Sequence, residues 1–331
     1  MVSLDENIFI NHIRVKELFD EGVRLSVQEH AEQETKKVGI LRAGNTGIAA
    51  VDEKGNLEIA GKCHRQTFLR LVGISSEDAD YSRELMFDSG RSNEDLWVAV
   101  LQRSYKGVIL REEEIPIQWT TKAGIPVSGR PDIVLCDNDK KPLRGLELKL
   151  VSSMWTARDV LMGRPKGLHV MQAGHYMWKL GVPFELWYTS RVDWSVLGWA
   201  QKHYPRYGEP GSEHCEYDDN GLIRKVIPFT QGFHLRFGEK GFIEYTPVGQ
   251  EDEPWKETIV SAERIEAYYD YVAQIGQTKN LGPRPQNLSS TGEKQNWKFC
   301  DYCPLKPTCD AHESDFDTWL EAAKGIVPKA E

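Results

Sequence analysis

Two short runs decide how this chain is to be read: Val127-Ser128-Gly129-Arg130-Pro131-Asp132-Ile133-Val134-Leu135, and, after a turn, Leu143-Arg144-Gly145-Leu146-Glu147-Leu148-Lys149-Leu150-Val151. Between them, Asp137-Asn138-Asp139-Lys140-Lys141-Pro142 is a strong turn signal. The second run alternates, with Leu146, Leu148 and Leu150 against Glu147 and Lys149. Side chains alternate in direction along a strand, so Glu147 and Lys149 share one face while the leucines take the core. Paired antiparallel across the turn, a strand over 127–135 carrying Gly129 to Asp132 inside it brings Asp132 beside Glu147. Two carboxylates and an ammonium then meet at one edge of a sheet.

Hard divalent ions such as Mg²⁺ or Mn²⁺ take carboxylate oxygens, and the backbone carbonyl of Leu148 could add a further ligand. Such a cluster suits phosphodiester hydrolysis, with a lysine to orient water or to stabilise charge on the phosphate. Charges on the exposed face of a hairpin are also commonplace, and the spacing D-x14-E-x-K alone is weakly specific.

Outward from this pair, Ile115 to Trp119 reads as a strand, Gly167 to Leu180 as a helix and Pro183 to Tyr188 as a strand. Gln172 and Tyr176 fall four apart on that helix, with His169 on the same stripe. Upstream, residues 1–115 read as mainly helical, with a hairpin at Ile48 to Ile59 turned at Lys54-Gly55-Asn56 and a helix over Cys63 to Val72. A further helix pauses near Gly90, and Ser92 to Arg103 continues as another, with Glu94 early in it. Downstream, residues 201–250 read as hairpins added to the core, Thr258 to Gln274 as a helix, and Ser314 to Ala323 as a last one. The expected organisation is a helical part over 1–113, an α/β core over 114–200 with a central mixed sheet flanked by helices, a hairpin-rich insertion over 201–257, and a carboxyl-terminal helix with a cysteine segment over 258–331. Gly55 to Cys63 narrowly misses a phosphate-binding loop, so no ATPase motor is expected.

The series runs Gly90 with Glu94, Gly129 with Asp132, Glu147 with Lys149, then Gln172 with Tyr176. That order resembles the RecB-type exonucleases of the PD-(D/E)XK superfamily, although Glu94 stands where many members carry His. The resemblance implies that Glu94, Asp132 and Glu147, with the Leu148 carbonyl, bind two Mg²⁺ or Mn²⁺ ions. It implies that Lys149 acts on water and phosphate, and that Gln172 and Tyr176 position the site and the strand.

The six cysteines are unevenly placed: Cys300, Cys303 and Cys309 form C-x2-C-x5-C, and Cys63 lies far upstream. Four soft thiolates suit an iron–sulfur cluster or zinc, and zinc Cys₄ sites usually pair two short knuckles where this chain has one. The pattern is similar to the [4Fe–4S] staple of iron–sulfur RecB-family nucleases, the CRISPR-associated ones and the AddB nuclease domain among them. A cluster there would tie together two ends of the fold across 236 intervening residues, a structural role first. Cys136 and Cys215 read as a buried strand cysteine and a loop cysteine.

The chain has 331 residues, 40% of them apolar and 27% charged, enough to bury a core and to exclude wholesale disorder. No apolar run is long enough to span a bilayer, and the first residues lack the order of a signal peptide, so a cytoplasmic protein is expected (host cytoplasm if phage-encoded). The net charge of −9 argues mildly against a nucleic-acid partner, yet residues 121–182 carry ten Lys/Arg against five Asp/Glu. Arg65, Arg130, Arg158, Arg164 and Lys166, with Lys62, Arg70 and His169, are the candidates for a DNA backbone, and Trp155 for a base or for packing. The expected activity is a metal-dependent DNA exonuclease working from single-stranded ends in recombination, repair or end processing, with room for a helicase or recombinase partner. The alternative is a noncatalytic nucleic-acid-binding or assembly module stabilised by the cluster.

Overall fold

The structure is a computed structural model describing residues 21, 23–27, 38–74, 81–111, 114–151, 153–191, 194–195, 215–219, 223–289, 291–292, 300 and 303–326. It is an α/β fold of mixed sheets flanked by helices. The elements are β1 (Leu41–Arg42), β2 (Gly47–Val51), β3 (Leu57–Gly61), α1 (His64–Leu71), α2 (Tyr81–Leu101), β4 (Val108–Arg111), β5 (Ile117–Thr120), β6 (Pro126–Gly129), β7 (Ile133–Cys136) and β8 (Pro142–Leu150). They continue as α3 (Met154–Leu161), α4 (Gly167–Leu180), β9 (Phe184–Ser190), β10 (Trp194–Ser195), β11 (Cys215–Tyr217), β12 (Ile223–Val226), β13 (Phe229–Phe237), β14 (Phe242–Pro247), β15 (Lys256–Ser261), α5 (Ala262–Thr278), α6 (Lys306–Ala311) and α7 (Phe316–Ile326).

The central sheet has seven strands in the order β15-β14-β13-β9-β8-β7-β4. Its β8 and β9 are parallel, as a crossover through α3 and α4 requires, and its other pairings are antiparallel. One face carries the larger core, built on α4 and α5 with Phe184, Leu186, Tyr188, Phe233 and Tyr245 from the strands. The other carries a smaller cluster, in which Ile133, Leu146 and Leu148 meet Val98 of α2. The alternation read in β8 therefore holds, but both its faces are covered, which is what a parallel neighbour demands.

Several expectations are corrected. The run 127–135 is not one strand: β6 belongs to a three-stranded sheet, β1-β6-β5, and β7 to the central one. Pro131 explains the break. It has no N–H for a ladder and restricts Arg130 before it, so the chain changes sheets there and Asp132 falls just outside β7. Gly90 does not interrupt α2, where Ser89 and Ser92 hydroxyls bond the carbonyls of Leu85 and Asp88 around it. One glycine costs a helix about 1 kcal/mol, too little to end it. The apolar run of β4, read as part of a helical region, is an edge strand on β7. The helix expected from Thr258 starts only at Ala262, because the β-branched run Thr258-Ile259-Val260 forms β15. The hairpin β13–β14 is added to the central sheet, as read, while β10, β12 and β11 make a small sheet of their own. Cys215 opens β11 instead of lying in a loop, whereas Cys136 is a fully buried strand residue as expected.

The 48–59 hairpin forms as read, with Asp52 Oδ1 accepting from the backbone of Lys54 and Asn56 and Gly55 at φ 82°. Tyr268 and Tyr269 pack fully buried on α5. Among the described residues no helix is long and apolar enough to cross a membrane.

The core contains a polar chain whose protons can be assigned. Trp119 Nε1 donates to His175 Nε2 at 3.0 Å, so the His175 proton sits on Nδ1, 3.2 Å from the Tyr269 hydroxyl, which donates to the Arg42 carbonyl. Burial holds His175 neutral with its pKa lowered to about 3, and burial lowers His64 to about 4. Each group binds its proton more weakly folded than unfolded. Their contribution is complete above the unfolded value of about 6.5 and is lost as pH falls toward 4 and 3. Urea unfolding is expected to show stability falling below pH 6.5 by about 1.4 kcal/mol per pH unit for each histidine. A flat profile between pH 6.5 and 5 would contradict it.

Candidate active site and cysteine cavity

The candidate active site is built where β8 outruns β7. The β7–β8 register pairs Ile133 with Leu146 and ends there, so beyond Leu146 no strand among the described residues pairs with β8 on that side. Gly145 and Val151 donate their N–H groups toward the β9 side, to Pro183 and Thr189. Leu148, of opposite parity, turns its N–H and C=O to the open flank. There the Leu148 N–H donates to Asp132 Oδ2 at 2.6 Å. Asp132 is thus pinned beside Glu147 by the backbone, and the Leu148 carbonyl lies on the same side.

Glu147 is not on an exposed face: it is 0% exposed. Lys149 Nζ donates to its Oε1 at 2.5 Å, while its Oε2 is buried without a hydrogen-bond partner. Burial, then the neighbouring Asp132 charge, raises the Glu147 pKa to about 8 against the opposing pull of Lys149, and Glu94 adds to the rise. Lys149 is 21% exposed, and the Glu147, Asp132 and Glu94 charges raise its pKa against the opposing effect of burial. The four residues Glu94, Asp132, Glu147 and Lys149 therefore share one electrostatic site, brought from α2, the β6–β7 junction and β8.

Over the Glu147 face lies α4. Gln172 Nε2 donates to the Tyr176 hydroxyl at 3.3 Å, and Tyr176 is 2% exposed, its pKa raised first by burial and then by Glu147. Gly129 makes room for it: a Cβ there would lie 2.7 Å from the Tyr176 ring and 2.7 Å from Ala43 Cβ. The glycine and tyrosine, 47 positions apart, are thus one packing unit. Gly129→Ala is expected to cost about 1–3 kcal/mol in unfolding and to displace Tyr176. Unchanged stability in denaturant would argue against that contact.

The remaining candidates divide. Arg130, Arg164 and Lys166 are exposed. Arg158 and Trp155 lie in α3, but their side chains are outside the described ones. Arg65 is corrected: it is 1% exposed, donating to the carbonyls of Leu281 and Gly282 and to Glu313, and cannot meet a DNA backbone. Its place on the inward side of α1, among the four polar residues His64-Arg65-Gln66-Thr67 that open the helix, was not visible from local pattern. Arg70 bonds Asn45.

Arg65 belongs to a second site. Cys63, Cys300, Cys303 and Cys309 line one cavity together with Arg65, Gln66 and Arg284. Gln66 Nε2 donates to Cys303 Sγ at 3.2 Å and Trp319 Nε1 to Cys309 Sγ at 3.3 Å. Arg65 Nη1 is buried with no hydrogen-bond partner. Burial pushes the Cys63 thiol up to about 12, and the neighbouring Cys303 and Cys309 add to it. N–H donors aimed at sulfur and two guanidinium groups around four thiols suit an anionic thiolate cluster, whose metal would supply the missing positive charge. Sequence reasoning missed Arg284 and Trp319, which carry no motif.

Both sites offer donors of the right chemistry: hard oxygens with an orphaned buried Oε2 at the first, soft sulfurs at the second. Among the described residues no group of three or more His, Cys, Asp or Glu side chains is already arranged to hold a metal ion. At the first site Lys149 holds one oxygen of Glu147 and the Leu148 N–H one oxygen of Asp132.

No protein-family model matches the chain, and no curated protein matches it. Among solved structures, that of SSO0001 is similar over 54% of this chain and 75% of its own, with a TM-score of 0.36 and 16% identity.

Proposed function

We propose that the protein is a metal-dependent deoxyribonuclease of the RecB-like PD-(D/E)XK kind, acting from single-stranded ends and stapled by a [4Fe–4S] cluster on Cys63, Cys300, Cys303 and Cys309. The observation that carries the reading is the buried Glu147, one oxygen on Lys149 and the other unpartnered, beside Asp132 fixed on the Leu148 N–H. A binding module has no use for a carboxylate held at that cost, since burying an unpaired polar oxygen costs about 1–3 kcal/mol.

Glu94, Asp132, Glu147 and the Leu148 carbonyl would hold Mg²⁺ or Mn²⁺. When bound, the metal lowers the barrier by polarising the phosphoryl group and activating water. The residues of the chain supply the rest. Lys149 donates from Nζ toward the phosphate oxygens and the incoming water, stabilising charge as it develops. The Leu148 N–H fixes the Asp132 rotamer, and Gln172 with Tyr176 closes the site over the Glu147 face. Arg130, Arg164 and Lys166 offer exposed charge for the strand.

The test is digestion of single-stranded DNA labelled at either end, with Mg²⁺, Mn²⁺ or EDTA, using anaerobically purified protein. Label released only with the divalent ion supports the reading and gives the polarity. Tight DNA binding without any cleavage under either ion would move the assignment to a noncatalytic binding module.

A further inference from the structure

Beside Lys149 the structure gathers a second set of donors. The Tyr188 hydroxyl, fully buried on β9, accepts the Lys166 backbone N–H at 2.9 Å and lies 2.9 Å from His169 Nδ1. A phenol has one proton. The buried O–H needs an acceptor, and the hydroxyl's other partner among the described residues is His169 Nδ1, so the proton goes there and the imidazole carries its own hydrogen on Nε2. Tyr188 is the register partner of Lys149 across the parallel β8–β9 pair, which sets His169 against the same face as Glu147 and Lys149. Burial first, and then the charges of Lys149, Lys166 and Lys62, hold His169 neutral. Lys149 of β8, Lys166 before α4 and Lys62 after β3 thus all act electrostatically on an imidazole held as an N–H donor.

Resting on the nuclease reading, we propose that Lys62, Lys166 and His169 form a phosphate-holding subsite beside the scissile position, which takes the neighbouring phosphodiester of the same DNA strand. The cluster is of opposite sign to the carboxylate group, and Lys149 acts on both. Glu94, Asp132 and Glu147 attract cations, whereas Lys62, Lys166 and the His169 N–H suit the oxygens of an anion. The subsite sets where along the strand cleavage occurs, because a strand whose neighbouring phosphate is absent or uncharged loses the contact that fixes its register. Tyr188 is the positioning residue, holding the tautomer that makes His169 a donor.

The test measures binding of a short fluorescent single-stranded oligonucleotide to the full chain in Ca²⁺ across a salt series, beside cleavage of the same oligonucleotide in Mn²⁺. In Lys62→Ala/Lys166→Ala the slope of log affinity against log salt is expected to fall by about 0.7, the value for one lost phosphate contact. Binding at about 0.1 M salt is expected to weaken roughly fivefold. His169→Gln, which keeps an N–H near the Nε2 position, is expected to hold affinity that His169→Phe loses. A second arm needs no variant: one uncharged methylphosphonate moved along the oligonucleotide is expected to weaken wild-type binding at the linkage next to the cleaved bond. Wild-type cleavage with an unchanged salt slope in the double variant, or with no sensitivity to methylphosphonate beside the cleaved bond, overturns the subsite and leaves the nuclease reading standing. A folded wild-type protein that neither binds nor cleaves the oligonucleotide overturns both.

Discussion

Asp132→Asn is expected to lower DNA hydrolysis by about 10³-fold while leaving the melting temperature within a few degrees of wild type. The two effects separate because Asp132 does two things. Its Oδ2 accepts the Leu148 N–H at 2.6 Å, a bond that an asparagine carbonyl can also accept, so the junction before β7 keeps its hold. Its charge is what asparagine lacks, and charge is what a hard cation needs. Losing one preorganised electrostatic group at a phosphoryl-transfer site costs on the order of 10²–10³ in rate, and loss of a metal ligand belongs at the upper end. Lys149→Ala is expected to behave differently. It removes the partner of a carboxyl group that is 0% exposed, so activity and stability fall together, the latter by about 1–3 kcal/mol, the cost of a buried polar group left without its hydrogen bond. End-labelled digestion and urea unfolding, run on the same preparations, read both quantities. Full activity in Asp132→Asn would remove the catalytic assignment, and an undiminished stability in Lys149→Ala would contradict the buried pair.

The second large effect is expected from the cysteine cavity. Anaerobically purified protein is expected to carry about four irons per chain. Removing them with a chelator, or replacing Cys303 with serine, is expected to cost about 5 kcal/mol. The figure is the loop-closure entropy of a link that spans the 236 residues between Cys63 and Cys300. The loss is expected to be directional: α6 and α7 attach through Cys303, Cys309, Leu305, Phe316 and Trp319, so limited proteolysis should attack residues 303–326 first. Phe316 meets Phe68 of α1 at 5.8 Å between ring centroids, and Trp319 donates to Cys309, so part of the docking is apolar and survives the loss of metal. Iron-free protein of undiminished stability would show that this packing alone holds the carboxyl-terminal helices.

The legible parts of this protein are those where chemistry and period coincide over a few residues. Glu147 and Lys149 could be read as sharing a face because β8 alternates cleanly through nine residues. Asp132 could be set beside them because the 137–142 turn fixes an antiparallel register. The α4 stripe of His169, Gln172 and Tyr176 follows from helical spacing alone, and the cysteine spacing singled out the four residues that line one cavity. These features depend on neighbours within about fifteen positions, and local sequence dictates them.

What the tertiary structure decided is burial and partnership between distant segments. Nothing in the sequence around Glu147 states that α4 and Tyr176 cover its face, turning an apparently solvated carboxylate into a fully buried one. Arg65 carries the same lesson in reverse. Its position near Cys63 suggested a DNA contact, and the approach of Leu281, Gly282 and Glu313, more than 200 residues away, buries it against the cysteines instead. The split at Pro131, the recruitment of β13 to β15 into the central sheet, and the lock of Tyr188 on His169 are also long-range outcomes. Sequence by itself determined which groups are present and which share an element. Packing decided their protonation, their exposure and their partners, because the free energy of a charge is set by the atoms that replace its water.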